Sequence, residues 1–585
     1  MIKLVSYLSG TTFKELGAIM AKRPADLIYA VDEDPPLMTK LLLGLQHVFL
    51  ISIALIFPVV IVRSIGGTPQ QAEFMVSMAM LAAGVGTILH ALNWKGIGSG
   101  YLCPSLCGPS FLSASLLAAS VGGLHLVFGM TAVAGLFEVL LSRVMHRLRV
   151  LFPPEVTGLV VAMVGISVIP VALTNFMGRN GSEAVTELPE LAVALVTLGT
   201  MVGITVWSRG KLRLYSVLVG MICGYIASIG LGILDAGHLS LFNEAPILAA
   251  PDLDHFGWAF DPVLLLPFLI AITCSSLKTV GDITTCQKIN DVEWKRTDMR
   301  NVGQGILADG MSAIFGGLAG TMGQSTSSSN IGLSIGTGAT SRRIAFAIGG
   351  ILIALAFLPK LAMVFVVMPM PVMGATLIFS VSFMIIAGFQ IIMSRMLDAR
   401  RTFLVGIPLI MGLSVDAVPG LYDNVPHLLA PIFSSSLSLA AVLAVLLNLL
   451  FRIGVAKRER FVLTPGVDGS DSIFNFMERQ GAAWGARREV IYRAVSAINE
   501  LFEAVTSSGL AEGKVEMEVA FDEFNLEVEA RYEGEPPVLP SVRPGDDDLL
   551  EEGAVFSGFM IRRYADSVKV ESKDGVCRVR LHFDH

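Results

Sequence analysis

Gly323-Gln324-Ser325-Thr326-Ser327-Ser328-Ser329-Asn330-Ile331-Gly332 is a polar, glycine-flanked strip set between long apolar segments. In lipid every backbone N–H and C=O must find a partner inside the protein, so non-helical polar backbone survives only where it is buried or lines a cavity. Carriers place substrate at such interruptions near the bilayer midplane, where helix N-termini and free amides face the ligand. The strip points to a membrane carrier, and the rest of the chain reads outward from it.

Composition agrees. Of 585 residues, 53% are hydrophobic and 16% charged, with a mean hydropathy of +0.67. A soluble chain carries about a quarter charged residues. The net charge of -7 lacks the basic face a nucleic-acid binder needs. Six cysteines are scattered, and Cys103 and Cys107 have no second Cys or His pair spaced to complete a zinc site. Burial as small residues is the simpler reading. A carrier rather than an enzyme is expected, with no catalytic residues, metal or cofactor. The first forty residues mix Lys3, Lys14, Glu15, Lys22, Arg23 and Asp32 without the apolar core of a secretory signal. Residues 1–39 therefore read as a cytosolic arm.

A spanning helix needs about 20 apolar residues. Such runs lie near 41–62, 74–92, 124–142, 155–174, 189–207, 215–234, 262–281, 303–320, 343–366, 371–393, 401–418 and 428–452. Two more, near 101–120 and 324–340, are broken by Gly, Pro and Ser. Counting those as half-extended passes makes fourteen crossings. Basic residues then collect after the even-numbered ones, as cytosolic loops require: Lys95, then Arg143, Arg147 and Arg149, then Arg209, Lys211 and Arg213. Lys288, Lys295, Arg296 and Arg300 follow, then Arg342 and Arg343, and Arg395, Arg400 and Arg401. Both termini fall on the cytosolic side of the cytoplasmic (inner) membrane.

The broken crossings are third and tenth, seven apart, as two seven-helix repeats of inverted topology would have them. The third carries Tyr101-Leu-Cys-Pro-Ser-Leu-Cys-Gly-Pro-Ser-Phe111. If each begins as a short strand, the two pair at mid-membrane and satisfy their own amides. Each following half-helix then aims its positive end at the same spot. The fold class is an α-helical polytopic membrane protein of 7+7 inverted repeats over residues 40–455, with two mid-membrane strands.

From residue 456 the character changes. Residues 456–484 read as a linker and 485–585 as a small soluble α+β domain. Ile491, Val495, Ile498, Phe502 and Val505 share one helical face. Val515, Met517, Val519 and Phe521, then Leu526, Val528, Ala530 and Tyr532, alternate as a hairpin does. An acidic run at Asp546, Asp547, Asp548, Glu551 and Glu552 precedes a second helix, and 568–583 offers two strands around Asp574-Gly575.

Intramembrane ionisable residues are costly and mark function by default. Four stand out: His47, Lys278, Asp282 and Asp309. Lys278 and Asp282 share a helical face and can pair, and neutralising each other is the bland reading of both. Asp309 could clamp nearby backbone amides, and His47 could be a satisfied core histidine.

At these residues the chain resembles the nucleobase–ascorbate transporter family, the xanthine/uracil permeases. Asn330-Ile-Gly332, then Leu-Ser-Ile-Gly and Thr337-Gly338, resembles the tenth-crossing signature in all but its first position, which here is Ser329. Gln46-His47, Gly108-Pro109-Ser110-Phe111, Leu277-Lys278-Thr279-Val280-Gly281-Asp282 and Ala308-Asp309-Gly310 resemble its other motifs in order. The resemblance implies a core and a gate domain, elevator-like movement, homodimers, and a purine or pyrimidine base coupled to H+ or Na+. It implies substrate contacts at Phe111, Lys278, Ser329, Asn330 and Gly332, with Gln46, His47, Asp282, Asp309 and Thr337 supporting or coupling. Lys278 stands where the family has a carboxylate, which favours an anionic or carbonyl-rich substrate. A small-anion carrier using Lys278, or a membrane sensor signalling through its tail, are the alternatives. The tail loosely resembles the histidine-kinase-type ATP-binding fold, but Asn499-Glu500 lacks an Asn four residues after the Glu, so a regulatory or dimer-contacting role is expected there.

Overall fold

The computed structural model describes residues 24–25, 27–148, 151–178, 187–208, 215–234, 240, 242–249, 257–292, 294, 297–418, 420–426, 429–433, 435–451, 453, 458–507, 509–511, 513–522, 525–540, 553–573 and 575–585. Residues 1–23, the basic run 209–214, Lys295 and Arg296, the acidic run at 546–552 and Asp574 lie outside them. Cα proximity divides the chain into two compact units: Met1–Pro153 with Thr157–Phe389 and Pro408–Leu443, and Pro154–Val156 with Gln390–Ile407 and Ala444–His585.

The first unit opens with α1 (Leu37–Ile51), a 3-10 turn at Ser52–Leu55, α2 (Ile56–Ser64) and α3 (Pro69–Ala91). Strand β1 (Ser105–Cys107) and a 3-10 turn at Pro109–Phe111 lead into α4 (Leu112–Gly122). Then come α5 (Leu124–Leu148), α6 (Pro154–Phe176), α7 (Leu188–Trp207), α8 (Ser216–Gly230), α9 (Leu265–Asn290) and α10 (Met299–Ala319). Strand β2 (Gln324–Thr326) feeds α11 (Ser328–Thr337), followed by α12 (Arg342–Ala356), α13 (Pro359–Val366), α14 (Met370–Met393), α15 (Ala399–Ala417), α16 (Ala430–Phe433) and α17 (Ser436–Phe451).

Among the described residues seven segments are long and apolar enough to cross a membrane: Leu37–Ser64, Pro69–Ala91, Leu124–Met145, Pro154–Phe176, Leu188–Trp207, Pro262–Asn290 and Met370–Met393. Large apolar side chains such as Leu140, Ile226, Ile386 and Leu446 face outward from these and the shorter helices, as lipid contact permits and water does not. The run 343–366, read as one continuous crossing, is instead α12 and α13 bent by 85°. Pro359 is the cause: it lacks an N–H and disfavours helix at the residue before it.

Two close seams hold this unit together. A Cβ on Gly135 of α5 would lie 2.6 Å from the Ile314 nitrogen of α10, and one on Gly310 would lie 2.9 Å from the Val139 nitrogen. On α3 and α12, a Cβ on Gly84 would sit 2.9 Å from the Gly349 carbonyl, and one on Gly349 2.8 Å from that of Gly84. Without a hydrophobic drive between helices in lipid, small residues let backbones approach and gain van der Waals contact.

The second unit contains a five-stranded antiparallel sheet in the order β3-β4-β5-β7-β6: β3 (Arg458–Leu463), β4 (Val515–Phe521), β5 (Asn525–Glu533), β6 (Ser567–Lys573) and β7 (Val576–Asp584). Helices α18 (Ser470–Trp484), α19 (Arg488–Ser507) and α20 (Gly553–Tyr564) complete it. Val519 pairs with Val528, and Val528 with Leu581, so the alternating apolar residues share one buried face with Ile491, Ile498 and Val505. Residues 456–484, expected as a linker, hold a strand and a helix. The strand was hidden because β3 is an edge whose face is largely exposed (Arg458, Arg460), with only Leu463 buried. Arg401 ties this unit: its Nη1 meets the buried Glu155 at 2.5 Å and its Nε donates to the Ala482 carbonyl at 3.2 Å.

Candidate substrate site at the paired strands

The two interrupted segments meet. Strands β1 and β2 are antiparallel, with Ser105 opposite Thr326, Leu106 opposite Ser325 and Cys107 opposite Gln324. Gly108 N–H donates to the Gly323 carbonyl at 2.8 Å, and Ser327 N–H to the Pro104 carbonyl at 2.9 Å. The pair thus satisfies its own buried backbone, as lipid demands. Ser327 caps α11, accepting from the Asn330 N–H at 3.4 Å, which aims the positive end of the half-helix at the strand crossing.

Phe111 is fully buried in the turn after β1. A Cβ on Gly323 would lie 2.6 Å from three of its ring atoms, so the Gly323 backbone covers one ring face. Nearby, Ser110 Oγ, Gln324 Oε1 and Ser325 Oγ are buried without a hydrogen-bond partner among the described residues. Such orphans are rare and call for a reason, a ligand or water among them.

Lys278 and Asp282 do pair, Nζ to Oδ2 at 3.3 Å, but the pair is not self-contained. Lys278 Nζ also donates to the Thr326 carbonyl. Asp282 accepts from Thr326 Oγ1 at 2.6 Å and from Ser328 Oγ at 2.6 Å. The ion pair therefore grips the end of β2 and the start of α11 together. Beside Thr326, whose Oγ1 lies 3.2 Å from Thr279 Oγ1, Thr279 donates to Asp309 Oδ2. Asp309 Oδ1 lies 2.9 Å from His90 Nε2. Asp309 is thus engaged by two side chains, where the bland reading had it clamp backbone amides. Its helix already pairs its own amides, which leaves the carboxylate for α3 and α9.

His47 is buried and its Nδ1 lies 2.8 Å from Asn330 Oδ1. Asn330 Nδ2 donates to Ser327 Oγ at 2.7 Å, which assigns Oδ1 as acceptor and puts the proton on His47 Nδ1. Gln46 goes elsewhere, donating from Nε2 to Tyr215 Oη at 3.0 Å. Thr337 bonds back to the Leu333 carbonyl at 2.9 Å and closes the last turn of α11. Beyond it, Gly338 takes φ +64, and its carbonyl accepts from Ile28 N–H at 2.7 Å. The described end of the arm is therefore pinned to the signature helix.

Ser329 and Gly332 are exposed, one turn apart, and a Cβ on Gly332 would meet nothing within 4 Å. Gly332→Ala should therefore keep the fold and raise the unfolding temperature, since alanine removes about 0.5–1 kcal/mol of unfavourable helix entropy. A lower melting temperature would mean the face is occupied in the folded protein.

Sequence reasoning passed over Thr326, Ser328, Thr279, His90, Ser276 and Glu138. The last had a readable signal, being the lone acid of the apolar run 124–142. The hydroxyls had none, since Ser and Thr are common in apolar helices.

The paired strands, the capped half-helix α11 and the charged side chains that join them define a substrate-carrying membrane permease. Residues 38–421 match the model of the xanthine/uracil permeases, described as a permease family, and the chain belongs to it. A Clostridium perfringens chain that bears the name of a purine permease is 32% identical over 424 residues, 72% of this chain and 92% of that one. The xanthine permease XanP of Escherichia coli is 28% identical over 443 residues, 73% and 95% of the two chains. The nucleobase transporter PlUacP of Paenibacillus larvae is 28% identical over 427 residues, 72% and 96%.

Proposed function

We propose that the protein is a secondary active transporter that moves a purine or pyrimidine base, such as xanthine, urate or uracil, across the cytoplasmic membrane, coupled to an ion. The observation that carries this is the β1–β2 pair held to Lys278 and Asp282, in a chain whose relatives are named for purines, xanthine and nucleobases. Phe111, buried at the strand crossing, is the ring on which the base would stack. Lys278, Ser329 and Asn330, with the amides around Gly332, bond the carbonyl-rich edge. His47 orients Asn330, and Asp282 orients Lys278. Asp309 and Thr337 hold the frame, while Gln46 braces α1.

Fourteen crossings in two inverted repeats of seven fit the seams. The α5–α10 contact joins the fourth and ninth crossings, and the α3–α12 contact joins the second and eleventh. Exchanging the repeats turns one pair into the other. Core and gate domains in elevator motion, a homodimer, cytosolic termini and a regulatory C-terminal domain complete the reading. A small-anion carrier would need a free cation, whereas Lys278 Nζ has two oxygen partners.

The test is uptake of labelled xanthine by liposomes holding the full-length protein, competed by urate, uracil, bicarbonate and sulfate. Competition by the bases alone is expected. Competition by the anions with no base effect would replace this reading with the anion carrier.

A further inference from the structure

Glu138 on α5 is fully buried. One of its oxygens, Oε2, has no hydrogen-bond partner among the described residues, and the other has a single one, Ser276 Oγ at 2.6 Å. Ser276 Oγ also lies 3.0 Å from the Ile272 carbonyl. A hydroxyl has one hydrogen. It cannot donate to both oxygens, so both contacts are made only when Ser276 gives its hydrogen to Ile272 and Glu138 carries a proton that it donates to Ser276.

The surroundings lead to the same protonation. The acidic and basic side chains on the elements packed against α5 are Asp309 and Arg300 on α10 and Lys278, Asp282 and Lys288 on α9, with Arg300 and Lys288 at the far ends of their helices; α4 carries none, exposed Arg143 lies further along α5 itself, and His90 on α3 meets Asp309. Lys278 is two residues from Ser276, so the two leave α9 on different faces, and its ammonium is committed to Asp282 and Thr326. Thr279 is three residues from Ser276, on the same face, and holds Asp309. Two buried carboxyls thus rest against one face of α9. They flank one of the close α5–α10 contacts, where Gly310 follows Asp309 and Val139 follows Glu138. Asp309 has two donors; Glu138 shares one hydroxyl. Like charges so placed do not both ionise, and an unpaired intramembrane charge is costly.

We propose that Glu138 is the proton-carrying residue of this transporter. The inference rests on the transporter reading above and names its coupling ion and the group that binds it. In the outward-facing state Glu138 gains a proton and an O–H bond forms. In the inward-facing state that bond breaks, the proton passes to water, and Ser276 turns its hydrogen from Ile272 to the carboxylate. The Asp282–Thr326 and Thr279–Asp309 bonds lie side by side, their hydroxyl oxygens 3.2 Å apart, between the base-binding strip and the α9 face that Glu138 shares.

The experiment uses the full-length protein in liposomes, with labelled xanthine as probe. One pH unit is worth about 1.4 kcal/mol per proton, so one-to-one coupling sustains about tenfold accumulation in the wild type. Glu138→Gln should keep xanthine exchange at equal pH on both sides while gradient-driven accumulation falls to about onefold. Ser276→Ala removes a donor to the ionised form, so its exchange should have a pH midpoint above that of the wild type. Wild-type-like accumulation by Glu138→Gln overturns the inference, as does a wild type that exchanges xanthine without answering to the pH gradient. Should Glu138→Gln fail to fold, Ser276→Ala decides, and an unmoved midpoint overturns it. A wild type that exchanges no xanthine at all overturns the transporter reading, and this inference with it.

Discussion

Lys278→Met is expected to lose about 3–5 kcal/mol of stability and to abolish xanthine exchange, because breaking a buried ion pair leaves its partner uncompensated. Asp282 would keep only the hydroxyls of Thr326 and Ser328, and the Thr326 carbonyl would lose its ammonium donor. The end of β2 and the first turn of α11 would then lose their common clamp. The double variant Lys278→Met with Asp282→Asn should recover part of the stability without recovering exchange, since the charge is removed along with its partner. Thermal unfolding in detergent and exchange in liposomes measure the two effects separately. A single variant as stable as the wild type would show that the pair does not hold β2 and α11 together. Lys278→Glu sets a second carboxylate against Asp282, so a folded variant should exchange xanthine with an altered pH profile.

Gly323→Ala is the second large effect. Its new methyl would lie 2.6 Å from three atoms of the Phe111 ring, which is buried and has nowhere open to swing. Overpacking of this kind costs about 1–3 kcal/mol. The strain falls on the only two-stranded sheet of the first unit among the described residues, so the expected loss of xanthine binding exceeds the loss of stability. Shortening the ring relieves it: Gly323→Ala with Phe111→Leu should be more stable than the sum of the single effects predicts. Contacting residues couple in that way and distant ones add. Strictly additive effects would place the ring away from Gly323 in the working protein.

Much of this was legible before any coordinates. The serine strip and its counterpart at 101–111 were separated from the apolar runs by composition alone, and they are β1 with its turn and β2 with α11. The alternation through 515–532 and the helical face of Ile491 to Val505 were equally plain, since strand and helix periodicities differ. Elements whose residues carry no period were not legible. Arg458–Leu463 is an edge strand with a mostly exposed face, and the break between α12 and α13 needed Pro359 to be weighed against a continuous apolar run.

The site divides along the same line. Lys278 and Asp282 were four residues apart on one helix, so their pairing followed from helical geometry. Asn330 with His47, or Asp309 with His90, are 283 and 219 residues apart, and no spacing rule joins them. The same holds for Glu138 and Ser276, 138 residues apart.

By itself the sequence determined where lipid-facing helices run, which two segments interrupt them and which side chains are charged within them, because each of these follows from local composition and period. Only the tertiary structure decided that Thr326 holds Asp282 beside the Thr279–Asp309 pair, and that the second oxygen of Glu138 has no partner among the described residues. A hydrogen bond is made or missed over a few tenths of an ångström, and that distance is set by how helices far apart in the chain pack at their glycine seams.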